Sequence, residues 1–120
     1  MTHGDPTIEV TYLLFSGRRN PTWVMNDEQI QRFRGMITSL PLANPRPLGW
    51  QGFLARNYNN VPDVPDQIVV HDGIVDITRG RTTTPHVDQQ NLADWLREQS
   101  FKSPIGSLVR EVLEKRGVWA

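Results

Sequence analysis

The sequence predicts a two-layer α+β fold, in which helices pack on one face of a mostly antiparallel sheet. Residues 8–12 alternate between apolar and polar side chains, which is typical of a strand with one buried face. Asp72-Gly73 separates two further apolar runs, as expected of a tight hairpin. Three other segments repeat apolar residues at helical spacing. We expect a flexible tail over residues 1–6 and a single domain over residues 7–120.

The first elements follow from local signals. Residues 8–15 predict a strand that begins half-exposed and ends buried, and residues 22–25 predict a short returning strand. Asn26 and Gln29 have the spacing of a capping box at the start of a helix. The buried stripe of this helix is expected to comprise Ile30, Phe33, Ile37 and Leu40.

Proline and glycine mark the next two segments. Pro41 is expected to end the helix, because proline cannot continue an α-helical hydrogen-bond ladder. Residues 41–47 contain three prolines and predict a stiff crossing over the surface. Residues 50–58 predict a second long strand, weakened by Gly52.

The hairpin over residues 67–78 is the best-specified unit of the predicted sheet. Asp72-Gly73 suits the two central positions of a type I′ turn, where both residues need positive φ. This turn gives one apolar face, on which Val70 lies opposite Val75 and Ile68 lies opposite Ile77. The other face then carries His71 beside Ile74, Val69 beside Asp76 and Gln67 beside Thr78.

The last third of the chain predicts a loop and two helices. Residues 79–85 are polar and predict a loop. A helix is expected to begin near Asp88, with Leu92, Trp95 and Leu96 on one side. Ser103-Pro104 predicts the start of a last helix, whose C-terminal end Gly117 suits; its apolar stripe comprises Ile105, Leu108, Val109, Val112 and Leu113.

The composition limits the classes of function. Thirteen Lys and Arg residues balance thirteen Asp and Glu residues, which argues against a nucleic-acid partner. The absence of cysteine excludes disulfides, thiolate catalysis and cysteine-held metal clusters, and fits a cytoplasmic location. No apolar run approaches the ~18 residues of a membrane span, so we expect a soluble protein without a membrane partner. Lys102 and Lys115 are the only lysines; the remaining eleven basic residues are arginines, which favour bidentate contacts with carboxylate or phosphate.

Residues 15–23 form an arginine-rich turn that is the first candidate ligand site. Two guanidinium groups could hold an anionic group while an indole covers an apolar part of the ligand. The candidate ligand-binding residues here are Ser16, Arg18, Arg19, Asn20 and Trp23. In the alternative reading, Gly17 and Pro21 shape the turn, Asn20 caps it and Trp23 belongs to the core.

Residues 79–84 form a second arginine-rich segment that is a candidate anion-binding site. Backbone amides around Gly80, flanked by Arg79, Arg81 and Thr82, could form a concave anion-binding nest. The alternative is a solvated loop that leaves the hairpin. We hypothesise that both arginine-rich loops lie at one end of the sheet and converge on one anionic ligand.

Two His–carboxylate arrangements are candidates for acid–base chemistry. His71 and Asp76 are diagonal neighbours on the outward face of the predicted hairpin. His86 and Asp88 have His-x-Asp spacing, but no further histidine follows to complete a metal-binding triad, so we expect no metal and no cofactor. In the alternative readings, the first pair belongs to a solvated sheet face and Asp88 caps a helix.

The string Phe15-Ser16-Gly17-Arg18-Arg19-Asn20-Pro21-Thr22-Trp23 resembles the opening signature of a small uncharacterised family of bacterial proteins. That signature reads Phe-Ser-Gly-Arg-Pro-Asn-Pro-x-Trp and precedes a capped amphipathic helix. Here Arg19 stands in place of the family's proline, so the turn is less constrained. The resemblance covers about the first third of the chain and implies a bacterial, single-domain origin without implying an activity.

Two functions remain open on the sequence. The first is a small binding or accessory domain that recognises an anionic small molecule or a protein partner through its arginine-rich loops. The alternative is a compact, metal-independent enzyme that binds an anionic substrate with arginine and moves protons with His71 or His86 and a carboxylate. The enzyme requires a pocket where a histidine and an arginine converge. Either protein could be a monomer or a homodimer.

Overall fold

The computed structural model describes residues 5–15, 19–47 and 51–116, which form six strands and three helices. In chain order, these are β1 (Thr7–Leu13), β2 (Thr22–Val24), α1 (Asp27–Ile37), β3 (Gly52–Tyr58), β4 (Gln67–His71), β5 (Ile74–Arg79), β6 (Thr82–Val87), α2 (Leu92–Lys102) and α3 (Gly106–Lys115). The strands form one sheet in the order β2-β1-β3-β4-β5-β6, with every neighbouring pair antiparallel. The α+β prediction is therefore confirmed.

One face of the sheet forms the core with the helices. In β1 every second residue is buried, and the register places Val10 beside Ala55 of β3 and Trp23 of β2 on that face. The helices contribute Phe33, Leu96 and Leu113, which are all fully buried against the same cluster. The alternation of buried residues in the strands and the apolar stripes of the helices thus produce the two predicted layers.

The start of α1 agrees with its predicted capping box. The Asn26 side-chain oxygen accepts a hydrogen bond from the Gln29 backbone N–H at 2.8 Å, and the Gln29 side chain accepts one from the Asn26 N–H at 2.9 Å. The helix ends at Ile37, before Pro41 is reached. Thr38 is already extended and Ser39 has a positive φ of 61°, so the chain turns away without the help of proline.

The β4–β5 hairpin has the predicted turn and register. Asp72 and Gly73 both have positive φ, at 48° and 75°, as a type I′ turn requires. The observed pairs include Val70 with Val75 and Ile68 with Ile77, and these four side chains are buried on the core face. The short turn sequence therefore determines which face of β4 and β5 enters the core.

The polar loop predicted over residues 79–85 is wrong, because most of this segment is a strand. Arg79 ends β5, Gly80 and Arg81 form the turn, and β6 follows at the edge of the sheet. Gly80 has a positive φ of 60°, which a glycine adopts without strain. The consecutive threonines of β6 have high strand propensity, but β6 is largely exposed and lacks the apolar alternation of an inner strand.

The proline-rich residues 41–47 cover part of this edge. The Ala43 N–H donates to the Pro85 carbonyl at 3.1 Å, and the Val87 N–H donates to the Pro41 carbonyl at 2.8 Å. Leu42 thereby forms an antiparallel bridge with His86. Pro85 fits an edge strand because its missing N–H would point away from β5.

The last two helices are joined closely. The Asp88 carboxylate accepts hydrogen bonds from the Leu92 and Ala93 N–H groups at 2.6 and 3.0 Å, so it caps the start of α2. A Cβ on Gly106 would lie 2.1 Å from the Phe101 carbonyl oxygen, so glycine permits the close approach of α2 and α3. Gly117, the predicted end of α3, lies outside the described residues. Within the described ranges, no helix is long and apolar enough to cross a membrane.

Candidate functional site

The described parts of the two arginine-rich segments lie at opposite ends of the sheet, which contradicts the hypothesis that they converge there. β1 ends at Leu13, opposite Gly52, and the register continues from there through His71 and Ile74 to Val87. The β1–β2 connection is at this end. Arg79 and Thr82 are at the other end, and three strands separate β1 from β6.

The first arginine-rich loop shows the structural roles of the alternative reading where it is described. The Asn20 side-chain oxygen accepts hydrogen bonds from the Leu14 and Phe15 N–H groups at 2.9 and 2.6 Å, which holds the turn after β1. Trp23 is buried in the core and Arg19 is exposed. Ser16 and Arg18 lie outside the described residues.

The second arginine-rich segment borders a cavity of about 470 Å³ between the end of α1 and the β5–β6 hairpin. The register explains why its polar residues share one face. Arg79 pairs with Thr82, Ile77 with Thr84 and Val75 with His86, so alternate residues of β6 point toward the helix layer. The full lining consists of Ile37, Ser39, Leu40, Ile77, Arg79, Thr82, Thr84 and His86.

The lining is cationic and rich in hydrogen-bonding groups. Arg79 carries a permanent positive charge, and no carboxylate belongs to the lining. Thr82 and Thr84 add hydroxyl groups on the same face. The His86 Nδ1 atom is buried without a hydrogen-bond partner among the described residues. This atom is closed to solvent, so the cavity meets the rest of the imidazole ring.

The predicted backbone nest at Gly80 already holds an anion from the chain itself. The Gly80 N–H donates to the Asp66 carboxylate at 2.7 Å. Arg81 is exposed in the turn and does not line the cavity. The binding residues predicted from the sequence therefore divide: Arg79 and Thr82 reach the cavity, whereas the Gly80 amide binds Asp66.

His71 and Asp76 form a separate polar cluster on the other face of the sheet. The His71 Nε2 atom lies 2.8 Å from an Asp76 carboxylate oxygen, and its Nδ1 atom lies 3.3 Å from an oxygen of Asp72. Only 2% of His71 is exposed, so the ring is not on a solvated sheet face as the alternative reading had it. A Cβ on Gly52 would lie 3.2 Å from the His71 Cβ, so glycine leaves room for the ring.

The two histidines are therefore not parts of one acid–base site. His71 has carboxylate partners but is closed to solvent, whereas His86 lines a cavity that lacks a carboxylate. Asp88, the expected partner of His86, caps α2. In the described part of the chain, no three His, Asp or Glu side chains are grouped closely enough to hold a metal ion.

Sequence reasoning missed Ser39 and Thr84 as lining residues. Thr84 could have been found once β6 was recognised, because it alternates with Thr82 and His86. Ser39 carried no local signal, since its place depends on where α1 packs. A second cavity, of about 700 Å³, lies between α1 and α2 beside Trp95 and the Gln29–Gln99 hydrogen bond, and was also not predicted.

Searches of protein-family models, curated proteins and solved structures find no match to this chain.

Proposed function

We propose that this chain is a small binding domain that recognises a carboxylate or phosphate group in the cavity beside β6. The observation that supports this proposal is the convergence of Arg79, Thr82, Thr84 and His86 on one cavity without any carboxylate in its lining. Guanidinium and hydroxyl groups donate hydrogen bonds to anionic oxygens, and a charged partner strengthens those bonds.

The lining of the cavity has polar groups at two positions along β6. Thr82 and His86 are four residues apart in β6, which corresponds to about 13 Å along a strand. Arg79 lies beside Thr82, at the end where an anionic group would bind. The His86 ring lines the other end of the cavity.

The enzyme alternative has weaker support. Its histidine and arginine requirement is met by His86 and Arg79, which line the same cavity. Its carboxylate requirement is not met there, because the His71–Asp76 pair lies on the opposite face of the sheet and is closed to solvent. Binding needs only the groups that the cavity contains, so we favour it.

Titration of isotope-labelled protein with inorganic phosphate and with succinate tests the proposal. We expect both anions to move the backbone amide resonances of Thr82 and Thr84. Arg79→Ala should weaken phosphate binding by at least about tenfold, because a charge-assisted hydrogen bond contributes roughly 1.5–3 kcal/mol.

Arg56→Ala is the matched control, since Arg56 is an exposed arginine of β3 on the other sheet face. This control should leave phosphate affinity unchanged. Equal losses in the two variants would mean that phosphate responds only to net charge. Either that result or unmoved β6 resonances in the wild-type protein would contradict the proposal.

A further inference from the structure

We propose that the anionic group belongs to an extended acidic peptide, which adds as a strand to the exposed edge of β6 and places its carboxylate beside Arg79. This inference rests on the proposed function and specifies its ligand. It follows from three features of β6: the direction of its backbone groups, the position of its cavity and the charges at its open end.

The backbone of β6 offers a pairing position at Thr83. The Pro85 carbonyl and the Val87 N–H both point to the outer edge, where they bond residues 41–43. Because backbone direction repeats every two residues in an antiparallel strand, the N–H and carbonyl of Thr83 point the same way. Neither group has a backbone partner on that side within the described part of the chain. Thr83 is therefore an open continuation of an edge that the protein already pairs in part.

The same geometry directs a side chain of the incoming strand into the cavity. A peptide residue bonded to Thr83 would place its neighbour opposite Thr82, on the helix-facing side where the cavity lies. Arg79 flanks Thr82 from β5. Two strand spacings amount to about 10 Å between backbones, which the combined lengths of an arginine and a glutamate side chain span. An acidic residue at this position could thus reach the Arg79 guanidinium.

Charge favours an acidic peptide over a second copy of the chain as the occupant. Arg79 and Arg81 are exposed at the open end of β6, where the Asp66 carboxylate bonds the Gly80 N–H, and neither arginine has an ion-pair partner among the described residues. A two-fold pairing of β6 with β6 about Thr83 would place Arg81 of one copy opposite Pro85 of the other, so it would leave the arginines of both copies without an opposite charge. An acidic strand neutralises that charge instead.

The test compares the peptide acetyl-Val-Thr-Glu-Thr-Val-amide with the same peptide carrying glutamine in place of glutamate. We expect the glutamate peptide to bind wild-type protein at least about tenfold more tightly, because it alone supplies a charged partner for Arg79. Hydrogen exchange of the Thr83 amide should slow by a similar factor when this peptide is bound. Equal affinity for both peptides, or an unchanged Thr83 exchange rate, would overturn the inference.

Thr83→Pro separates this inference from the proposed function. Proline removes the outward N–H and leaves the backbone bonds to β5 in place, as Pro85 already does two residues later. It also removes the hydroxyl contact between Thr83 and Thr78 of 2.8 Å, which Thr83→Val removes equally. We expect at least about tenfold weaker binding of the glutamate peptide, through the lost bond and the added ring, with phosphate binding retained. Thr83→Val, which keeps the N–H, should bind the peptide normally. Full peptide binding by Thr83→Pro would overturn strand addition while leaving anion binding intact.

Two other results would also decide the matter. A wild-type protein that does not bind phosphate would contradict the proposed function itself. A wild-type dimer that Thr83→Pro converts to a monomer would assign the β6 edge to a second copy, against the peptide. Native mass spectrometry of both proteins provides this measurement.

Discussion

His71 in β4 and His86 in β6 lie on opposite faces of the sheet, and they differ in the partners of their ring nitrogens. Both ring nitrogens of His71 lie within bonding distance of carboxylates, and the ring is almost completely buried. His86 has an unpaired Nδ1 and lines a cavity with Arg79. The difference teaches that a histidine bonded to carboxylates within the fold serves its stability, whereas a histidine that lines a cavity with an arginine is the better candidate for a ligand contact.

The largest expected effect on stability comes from adding a methyl group beside the His71–Asp76 cluster. In Gly52→Ala, the new Cβ would lie 2.6 Å from the Val70 carbonyl oxygen and 3.2 Å from the His71 Cβ. The strands β3 and β4 must then separate, and we expect the free energy of unfolding to fall by about 3 kcal/mol, measured by urea denaturation.

Gly35→Ala is the control for this variant. Gly35 lies in α1, and no atom is within 4 Å of the position that its Cβ would occupy, so alanine should stabilise the helix by about 0.5–1 kcal/mol. A similar small change for both variants would show that β3 and β4 tolerate the added methyl group, and that the close fit around His71 is unimportant.

The next largest effect is expected from a substitution that removes the polar contacts of His71. His71→Leu fills the site with an apolar side chain but leaves the Asp76 carboxylate, which is only 22% exposed, without its partner. We expect the free energy of unfolding to fall by about 2 kcal/mol in the same denaturation assay. Asp72→Asn should cost less, because the Asp72 carboxylate is half-exposed and its contact is longer. No loss in His71→Leu would mean that the cluster does not stabilise the fold.

The smallest effect on stability is expected from the same substitution at the other histidine. His86→Leu removes a buried nitrogen that has no partner among the described residues, so the free energy of unfolding should change by less than about 1 kcal/mol. Phosphate binding at the Arg79 end should be retained, because His86 lies about 13 Å along β6 from Thr82. Equal destabilisation by His71→Leu and His86→Leu would show that the two histidines do not differ in their contribution to stability.

The β4–β5 hairpin was predictable because its determinants are local. Asp72-Gly73 specifies the turn, and the apolar residues on both sides then allow one register. The capping box at Asn26 was predictable for the same reason. In both places a few neighbouring residues contain all the information that the local structure requires.

The candidate site was predicted only in part because its determinants are distant in sequence. Arg79, Thr82 and His86 carried recognisable chemistry, but their shared cavity depends on β6 pairing with β5 and on the end of α1. Residues 79–85 lacked an apolar period, since an edge strand buries little of its surface. The sequence also did not predict the burial of His71, because period-2 alternation assigns a residue to a sheet face without showing whether that face is covered.

The pairing of residues 41–43 with β6 has a consequence for the order of events during synthesis. The covering segment precedes β6 by about forty residues, so it has left the ribosome before the strand it covers. The C-terminal half of β6 can therefore be paired on both sides soon after it is made. A nascent chain protected in this way exposes only a short stretch of the β6 edge to its neighbours on a polysome, which limits aggregation through that edge.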